Sequence, residues 1–550
     1  MKLNRYIPVL IAGLVLSVSC TDMNKFNPAE SDRYGRLLKT QVQETNAAVP
    51  SRAAASFSGL FSIIGQPNYF GYGTPDDFGV LMMLFCTDLE SADATASDNN
   101  YNWFSTCGEL SSRNANYRNP VIRYKAPYGI IAAVNDFLAG FGEDVEDPES
   151  IAMIAQAKVL RAYSYMLLAN DFQFNYTNHK NDPCVPICSP DVEDPTNNPR
   201  ATVEEIYNII MSDLNDAVTN LEGYTRSSKK FIDQQVAYGM RARANLNMGN
   251  YAAAAADAEK AASGYTPATI AEVSKPSFQD ISEHNWIWGY DMTADEATKF
   301  KYATTSSWLR SFSGWAYAAG TATYTCINKI LYDKIPATDV RKGWWVDENL
   351  YSPLLDGLTW SAGDAGSATG QAIADFEYDD KLAFVPYTNV KFGCTPLGTT
   401  DNAEDMPLMR VEEMILIQAE GYAKSGNEAK GRQILEDFVK TYRDPSYSAA
   451  AGGRSFADEV WFQRRVELWG EGFAIHDTKR LNKPLVRFLG TPSSTNVSPA
   501  FRFNVAADDG WLLLRFSNAE LNTNFGIIDN TNGELPKMDQ NPTLRDGVTD

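Results

Sequence analysis

The chain has only three histidines and seven cysteines in 550 residues, and it is short of positive charge, with 48 Lys and Arg against 69 Asp and Glu. Each shortage excludes something. His179, His284 and His476 are scattered along the sequence, so no cluster of neighbouring histidines offers a metal centre, and His179 with Cys184 and Cys188 lacks a fourth zinc ligand. The formal charge of −21 disfavours nucleic acid and anionic lipid surfaces as partners. It suits a neutral ligand, or a protein partner reached by close contact. The sequence contains no nucleophile elbow, metalloprotease helix or phosphate-binding loop, so it supplies no motif for hydrolysis and calls for no cofactor. Beyond the first twenty residues no apolar run approaches the roughly 20 residues needed to cross a bilayer.

What is present begins at the N-terminus. Lys2 and Arg5 precede an apolar run from Ile7 to Val18, broken by Pro8, Gly13 and Ser17, which is the layout of a signal peptide. The run ends Leu16-Ser17-Val18-Ser19-Cys20 and resembles a bacterial lipobox, with Ser17 standing where Leu is usual. The expectation is removal of residues 1–19 and diacylation of Cys20, two acyl chains being enough for stable anchoring. The polar residues that follow make 20–58 read as a lipid-anchored tether. Six cysteines remain. Cys184 and Cys188 bracket Val-Pro-Ile in a loop short enough to bridge, while Cys86, Cys107, Cys326 and Cys394 read equally as buried thiols.

Periodicity predicts helices through much of the chain. Val203, Ile206, Ile210, Leu214, Ala217 and Leu221 recur three or four apart, the signature of one apolar helix face, and Thr202 with Glu205 forms a capping box. A weak internal repeat aligns AYSYMLLAN (162–170), ARANLNMGN (242–250) and AEGYAKSGN (419–427). Its Ala and its small residue lie seven apart, close to two turns, on a face where a neighbouring helix can approach. Gly249-Asn250 and Gly426-Asn427 suit the left-handed turn that ends a helix. These are helix-turn-helix units like tetratricopeptide repeats, at irregular spacing. From about 263 to 405 the pattern changes to Thr, Ser, Gly and aromatic residues without sustained period, including Trp286, Trp288, Trp308, Trp315, Tyr317, Tyr324, Trp344, Trp345 and Trp360. Such a long irregular stretch points to function.

Four segments resemble the SusD/RagB family of surface lipoproteins. They are Tyr128-Gly-Ile-Ile-Ala-Ala-Val-Asn135; Ala157-Lys-Val-Leu-Arg161-Ala-Tyr163-Ser-Tyr165, with Thr202 to Tyr207 and Asp213-Leu214 after it; Arg410-Val-Glu-Glu413 to Glu420; and Arg464-Arg465-Val-Glu467-Leu468-Trp-Gly-Glu471-Gly472 to Arg480. The last departs from the family pattern at Gln463, Ala474 and Thr478, where Glu, a basic residue and Leu are usual. The resemblance implies a mostly α fold, with about four tetratricopeptide-like helix pairs as scaffold plus irregular loop-rich insertions. On this reading 59–550 is one helical domain, its ligand-binding region lying at about 264–405. The resemblance also implies binding without catalysis, an outer-membrane location through the lipid anchor, and a SusC-like TonB-dependent transporter as partner. The ligand would be a nutrient, an oligosaccharide first and a peptide as the alternative.

Sugar rings present flat apolar faces that pack on aromatic side chains, with amides taking the hydroxyls. Asp98-Asn99-Asn100-Tyr101-Asn102-Trp103 combines both in a turn-rich loop, which makes Asn99, Asn100, Tyr101 and Trp103 the first candidates. Trp308, Trp315, Tyr317 and Tyr324 are the candidates for the second half of a platform, against the alternatives of core packing or contact with a partner. Glu467 and Glu471, one turn apart, admit a glycosidase reading. Two carboxylates on one helix face do not flank a glycosidic bond, however, and with Arg464 and Arg480 nearby they read better as a charge network.

Overall fold

The computed structural model describes residues 39–49, 51–96, 103–142, 144–313, 316–320, 323–359, 367–368 and 384–550. Cys20 with the signal peptide, and the candidates Asn99, Asn100, Tyr101 and Trp315, lie outside the described residues. The first described segment differs from expectation. Within the stretch read as a tether, the chain forms two helices, α1 (Lys39–Ala48) and α2 (Ser51–Gly59). Their polar residues are used for docking: Gln43 donates to the carbonyls of Ala139 and Phe141 at 3.0 Å, and Asn46 to that of Gly140 at 2.9 Å. Phe57 enters the core and stacks 5.8 Å from Phe231. Within the stretch 20–58, read as a tether and N-terminal segment, the described residues from 39 on are thus helical and docked on the fold.

Every residue of α3 (Gly79–Leu89) is buried, and the short strand β1 (Ala94–Ala96) follows it. The scaffold then runs through α4 (Arg118–Ala139), α5 (Pro148–Phe172), α6 (Val203–Asn220), α7 (Gln234–Met248) and α8 (Tyr251–Ala261). After the irregular region it resumes with α9 (Val411–Lys424), α10 (Glu428–Tyr442) and α11 (Phe456–Glu467), and closes with α12 (Ala474–Arg480). From α4 to α10 each of these helices packs on the next, and α11 packs back on α9 as well as on α10.

The local causes are those written in the sequence. In α6, Ile206, Ile210, Leu214 and Ala217 are fully buried, each Ile or Leu worth about 1.5–3 kcal/mol for leaving water. Its capping box forms: the Glu205 amide donates to the Thr202 hydroxyl at 3.2 Å, and the Thr202 amide donates to the Glu205 carboxylate at 2.8 Å. Gly249 and Gly426 adopt φ of 78° and 96°, the left-handed turn that lets α8 and α10 fold back at once on α7 and α9. Ala162, Ala242 and Ala419, the first positions of the repeat, are all buried, with no exposure.

The region between α8 and α9 lies over this stack and contributes much of the core. Strand β2 (Trp286–Tyr290) is buried throughout, β3 (Thr325–Ile327) follows, and β4 (Met406–Arg410) leads into α9. β2 pairs antiparallel with β4, and β1 pairs antiparallel with β3, with Thr95 opposite Cys326. Trp286, Trp288, Trp344 and Trp345 are fully buried. The indole of Trp288 donates to the Lys230 carbonyl and that of Trp344 to the Val273 carbonyl, both at 3.1 Å. Trp288 thus holds the region to the scaffold, where its ring also meets Tyr163 of α5 edge-on, while Trp344 braces the region internally. Among the described residues no helix is long and apolar enough to cross a membrane.

Candidate functional site

The β1–β3 ribbon joins the two stretches that carry the aromatic candidates. β1 lies just before the early loop and β3 just after the 300–324 stretch, and Ala94 pairs with Ile327 and Ala96 with Thr325. Trp308 is at the centre. It sits in a short helix (Thr305–Leu309) whose start is capped by Thr304, which accepts from the Ser307 amide at 3.2 Å. Its indole donates to the Pro75 carbonyl at 3.0 Å. The Phe104 ring, next to Trp103 in the chain, meets it edge-on at 4.6 Å, and Tyr317 stacks on it at 4.2 Å with 14° between planes.

Exposure separates the candidates. Trp308 and Tyr324 are each 2% exposed, so neither has a ring face open to solvent. Tyr324 turns to Phe384 at 5.3 Å, and burial pushes its hydroxyl pKa up. Trp103 and Tyr317 are half-buried. Tyr317 has Trp308 beneath it and Tyr302 edge-on at 5.6 Å. The geometry is that of a platform in which buried rings support partly open ones.

Two contributors were not legible in the sequence. Tyr302 gave no periodic signal, and its position comes from the turn preceding the Thr305–Leu309 helix. The loop 66–77, which carries Tyr69, Phe70 and Tyr72, is tied to Trp308 through the Pro75 carbonyl. Asp77 shapes this loop by accepting from the amides of Phe70 and Tyr72, each at 3.1 Å. Arg118 and Lys125 of α4 lie 5.1 and 5.7 Å from the Tyr72 ring, a cation–π arrangement. The clue was available: aromatics spaced by Asn68, Gly71 and Gly73 in a turn-rich loop.

Glu467 and Glu471 belong to a different environment. Glu467 accepts from Arg443 at 2.8 and 2.9 Å, from Arg410 at 3.1 Å and from Arg341 at 3.3 Å. Glu471 accepts from Arg410 at 2.8 Å through each oxygen and from Lys391 at 2.7 Å. Burial pushes both carboxyls up, but the cations outweigh it: Arg443, then Arg410 and Arg341, hold Glu467 well below the usual range, and Arg410 with Lys391 lowers Glu471. Burial in turn brings the Lys391 ammonium down to about 8, against the pull of Glu471. Both acids are therefore ionised and fully engaged, with no proton to give a leaving group.

The network that the sequence pointed to exists, with different partners. Arg464 pairs with Asp477 at 2.7 Å rather than with Glu467, and Arg480 bridges Glu420 at 2.6 Å and Asp477 at 3.0 Å. Gln463, where the family usually has Glu, accepts from Arg341 at 2.6 Å and donates to Glu459 at 2.9 Å. Asp88 of α3 locks the far end, accepting from the amides of Gly472 and Ala474 at 2.9 and 3.3 Å, and its burial pushes its pKa up to about 7.

A cavity of about 60 Å³ lies beside this network, lined by Tyr163, Arg243, Glu413, Arg464 and Phe473 among others. Among the described residues no group of three or more His, Cys, Asp and Glu is placed to hold a metal. Cys184 and Cys188 are free thiols. The extended strand Pro183–Pro186 takes Cys184 into the core, while Cys188 receives the Asn135 amide at 4.0 Å.

Scaffold and face together define a class: a helical-repeat protein that presents an aromatic surface built from loops. Residues 80–246 match a SusD-like family model described as starch-binding and associating with the outer membrane, and residues 387–542 match the SusD family model. The chain belongs to the SusD/RagB-like family. Solved structures share the fold. A SusD-like carbohydrate-binding protein from Bacteroides vulgatus is 21% identical with a TM-score of 0.70, over 88% of this chain and 98% of its own. A SusD superfamily protein from Bacteroides thetaiotaomicron is 19% identical with a TM-score of 0.68, over 88% and 99%. A laminarin-binding SusD-like protein is 17% identical with a TM-score of 0.60, over 87% and 98%. Among curated proteins none matches the chain.

Proposed function

We propose that this protein is a cell-surface nutrient-binding lipoprotein, anchored through Cys20, that captures an oligosaccharide and passes it to a SusC-like TonB-dependent transporter. The observation that carries the reading is the platform in which Tyr317 stacks on the buried Trp308, which the Phe104 ring, next in the chain to Trp103, meets edge-on. Trp103 and Tyr317 are the ligand-facing residues, Trp308 supports them from below, and Asn99, Asn100, Tyr101 and Trp315 supply further contacts from neighbouring chain. Tyr324 acts from within the same region through its packing. That a protein of the same fold binds laminarin supports a glycan as ligand. The full occupation of Glu467 and Glu471 by cations supports binding without hydrolysis.

Calorimetry with laminarin and a panel of other oligosaccharides tests the binding reading. Binding that weakens in Trp103→Ala and Tyr317→Ala supports it, and full retention in both variants overturns the platform. Cys20→Ala should release the protein from the membrane with binding intact, and deletion of the partner transporter should abolish ligand import. A peptide ligand remains the second reading, favoured by Arg118 and Lys125 at Tyr72, which would suit a carboxylate. Tighter binding of peptides than of any neutral glycan decides for it.

A further inference from the structure

Cys86 and Cys107 have their sulfurs 3.5 Å apart, and neither residue is exposed. Cys86 is on α3, and Cys107 is on a single helical turn (Ser105–Gly108). Their surroundings converge on the pair. Asn119 of α4 donates its side-chain amide to both sulfurs, at 3.2 and 3.1 Å, and Ser112 donates to Cys107 at 3.6 Å. Cys326, by contrast, has the Thr388 hydroxyl beside it. A disulfide requires a sulfur separation of about 2.04 Å, so closing the pair takes a movement of about 1.5 Å, shared between two side chains.

We propose that Cys86 and Cys107 form a disulfide in the exported protein. The step is thiol–disulfide exchange with a disulfide-bearing oxidant of the extracytoplasmic space. One cysteine, as thiolate, attacks a sulfur of the oxidant, whose own disulfide breaks. The second then attacks the mixed disulfide and displaces the oxidant. The two cysteines lose two protons and two electrons, and the oxidant leaves as two thiols. Both cysteines are buried in the complete fold, so the exchange belongs to folding, while an oxidant can still reach the pair.

The bond ties together the two ends of the segment that holds β1 and Trp103. It would therefore fix one half of the ligand platform in advance, lowering the entropy lost on binding. This consequence, unlike the bond itself, rests on the proposed ligand reading.

The test uses the full-length protein isolated from the cell envelope, denatured and alkylated without reductant, then digested and analysed by mass spectrometry. The expected result is one linked species joining the peptides of Cys86 and Cys107, two hydrogens lighter than their sum, which separates only after reduction. Alkylation of both residues without reductant overturns the proposal. The double variant Cys86→Ala/Cys107→Ala is then titrated with whichever oligosaccharide the wild type binds. Severalfold weaker binding supports the ordering of the platform. If the linked species is present and binding is unchanged, that consequence is wrong while the bond stands. A protein that binds no ligand still yields the mass-spectrometric answer.

Discussion

The C-terminal charge network and the aromatic face use side chains in opposite ways. In the network, Glu467, Glu471, Arg410, Arg443 and Arg341 are buried and bonded to one another, with Asp339, Gln463 and Lys391 taking further bonds. On the face, Tyr317 spends one side of its ring on Trp308 and remains half-buried. A buried ion pair is costly to leave half-made, because the surviving charge has lost its water. An aromatic ring with buried support can take up or release a partner at little cost to the fold. The network therefore holds the structure together, and the proposed binding face is set apart from it.

The largest test of this contrast is Glu467→Ala, which takes a shared carboxylate from Arg443, Arg410 and Arg341 and leaves them to Glu412, Glu471 and Asp339. It should destabilise the protein by about 3–5 kcal/mol, read as a lower denaturation midpoint. Unchanged stability with lost binding would break the contrast. Next is pH. Asp88 has its pKa raised to about 7, so the folded state holds this proton more tightly than the unfolded chain does. Its contribution to stability is complete below the unfolded carboxyl pKa of about 4 and is lost as pH rises through 7. Asp88→Asn should flatten that part of the stability profile in denaturant titrations from pH 4.5 to 8, and an unaltered slope would exclude Asp88 as its source.

Smaller effects belong to the face. Tyr317→Ala should weaken binding by about 1 kcal/mol, the scale of an aromatic contact, or roughly fivefold by calorimetry, with a smaller shift in the denaturation midpoint than Glu467→Ala causes. A larger loss of stability than of binding would reassign Tyr317 to the core. The smallest is Thr202→Ala, which removes the exposed cap of α6 at a cost of about 0.5–1 kcal/mol and should leave ligand affinity unchanged, giving a scale for local damage distant from both regions.

Much of the scaffold was legible in the chain. The spacing of Val203, Ile206, Ile210 and Leu214, the Thr202–Glu205 box and the turns at Gly249 and Gly426 all form as written, because they depend on interactions within a few residues. The docking of α1 and α2 was not legible: polar residues such as Gln43 and Asn46 look alike whether they meet water or a carbonyl 94 to 98 residues away. Candidate aromatics posed the same difficulty. Trp308 and Tyr317 have similar sequence surroundings, yet one is buried and the other half-open.

By itself the sequence determined the helical class, the capping of individual helices and the presence of a charge cluster near Glu467, since helix periodicity and capping are local properties of the backbone. Only the tertiary structure decided which cations Glu467 would meet, which aromatic rings would keep an open face, and that Cys86 would come to lie against Cys107. Those outcomes depend on contacts between residues far apart in the chain, and burial is settled by what packs across from a side chain rather than by its neighbours in sequence.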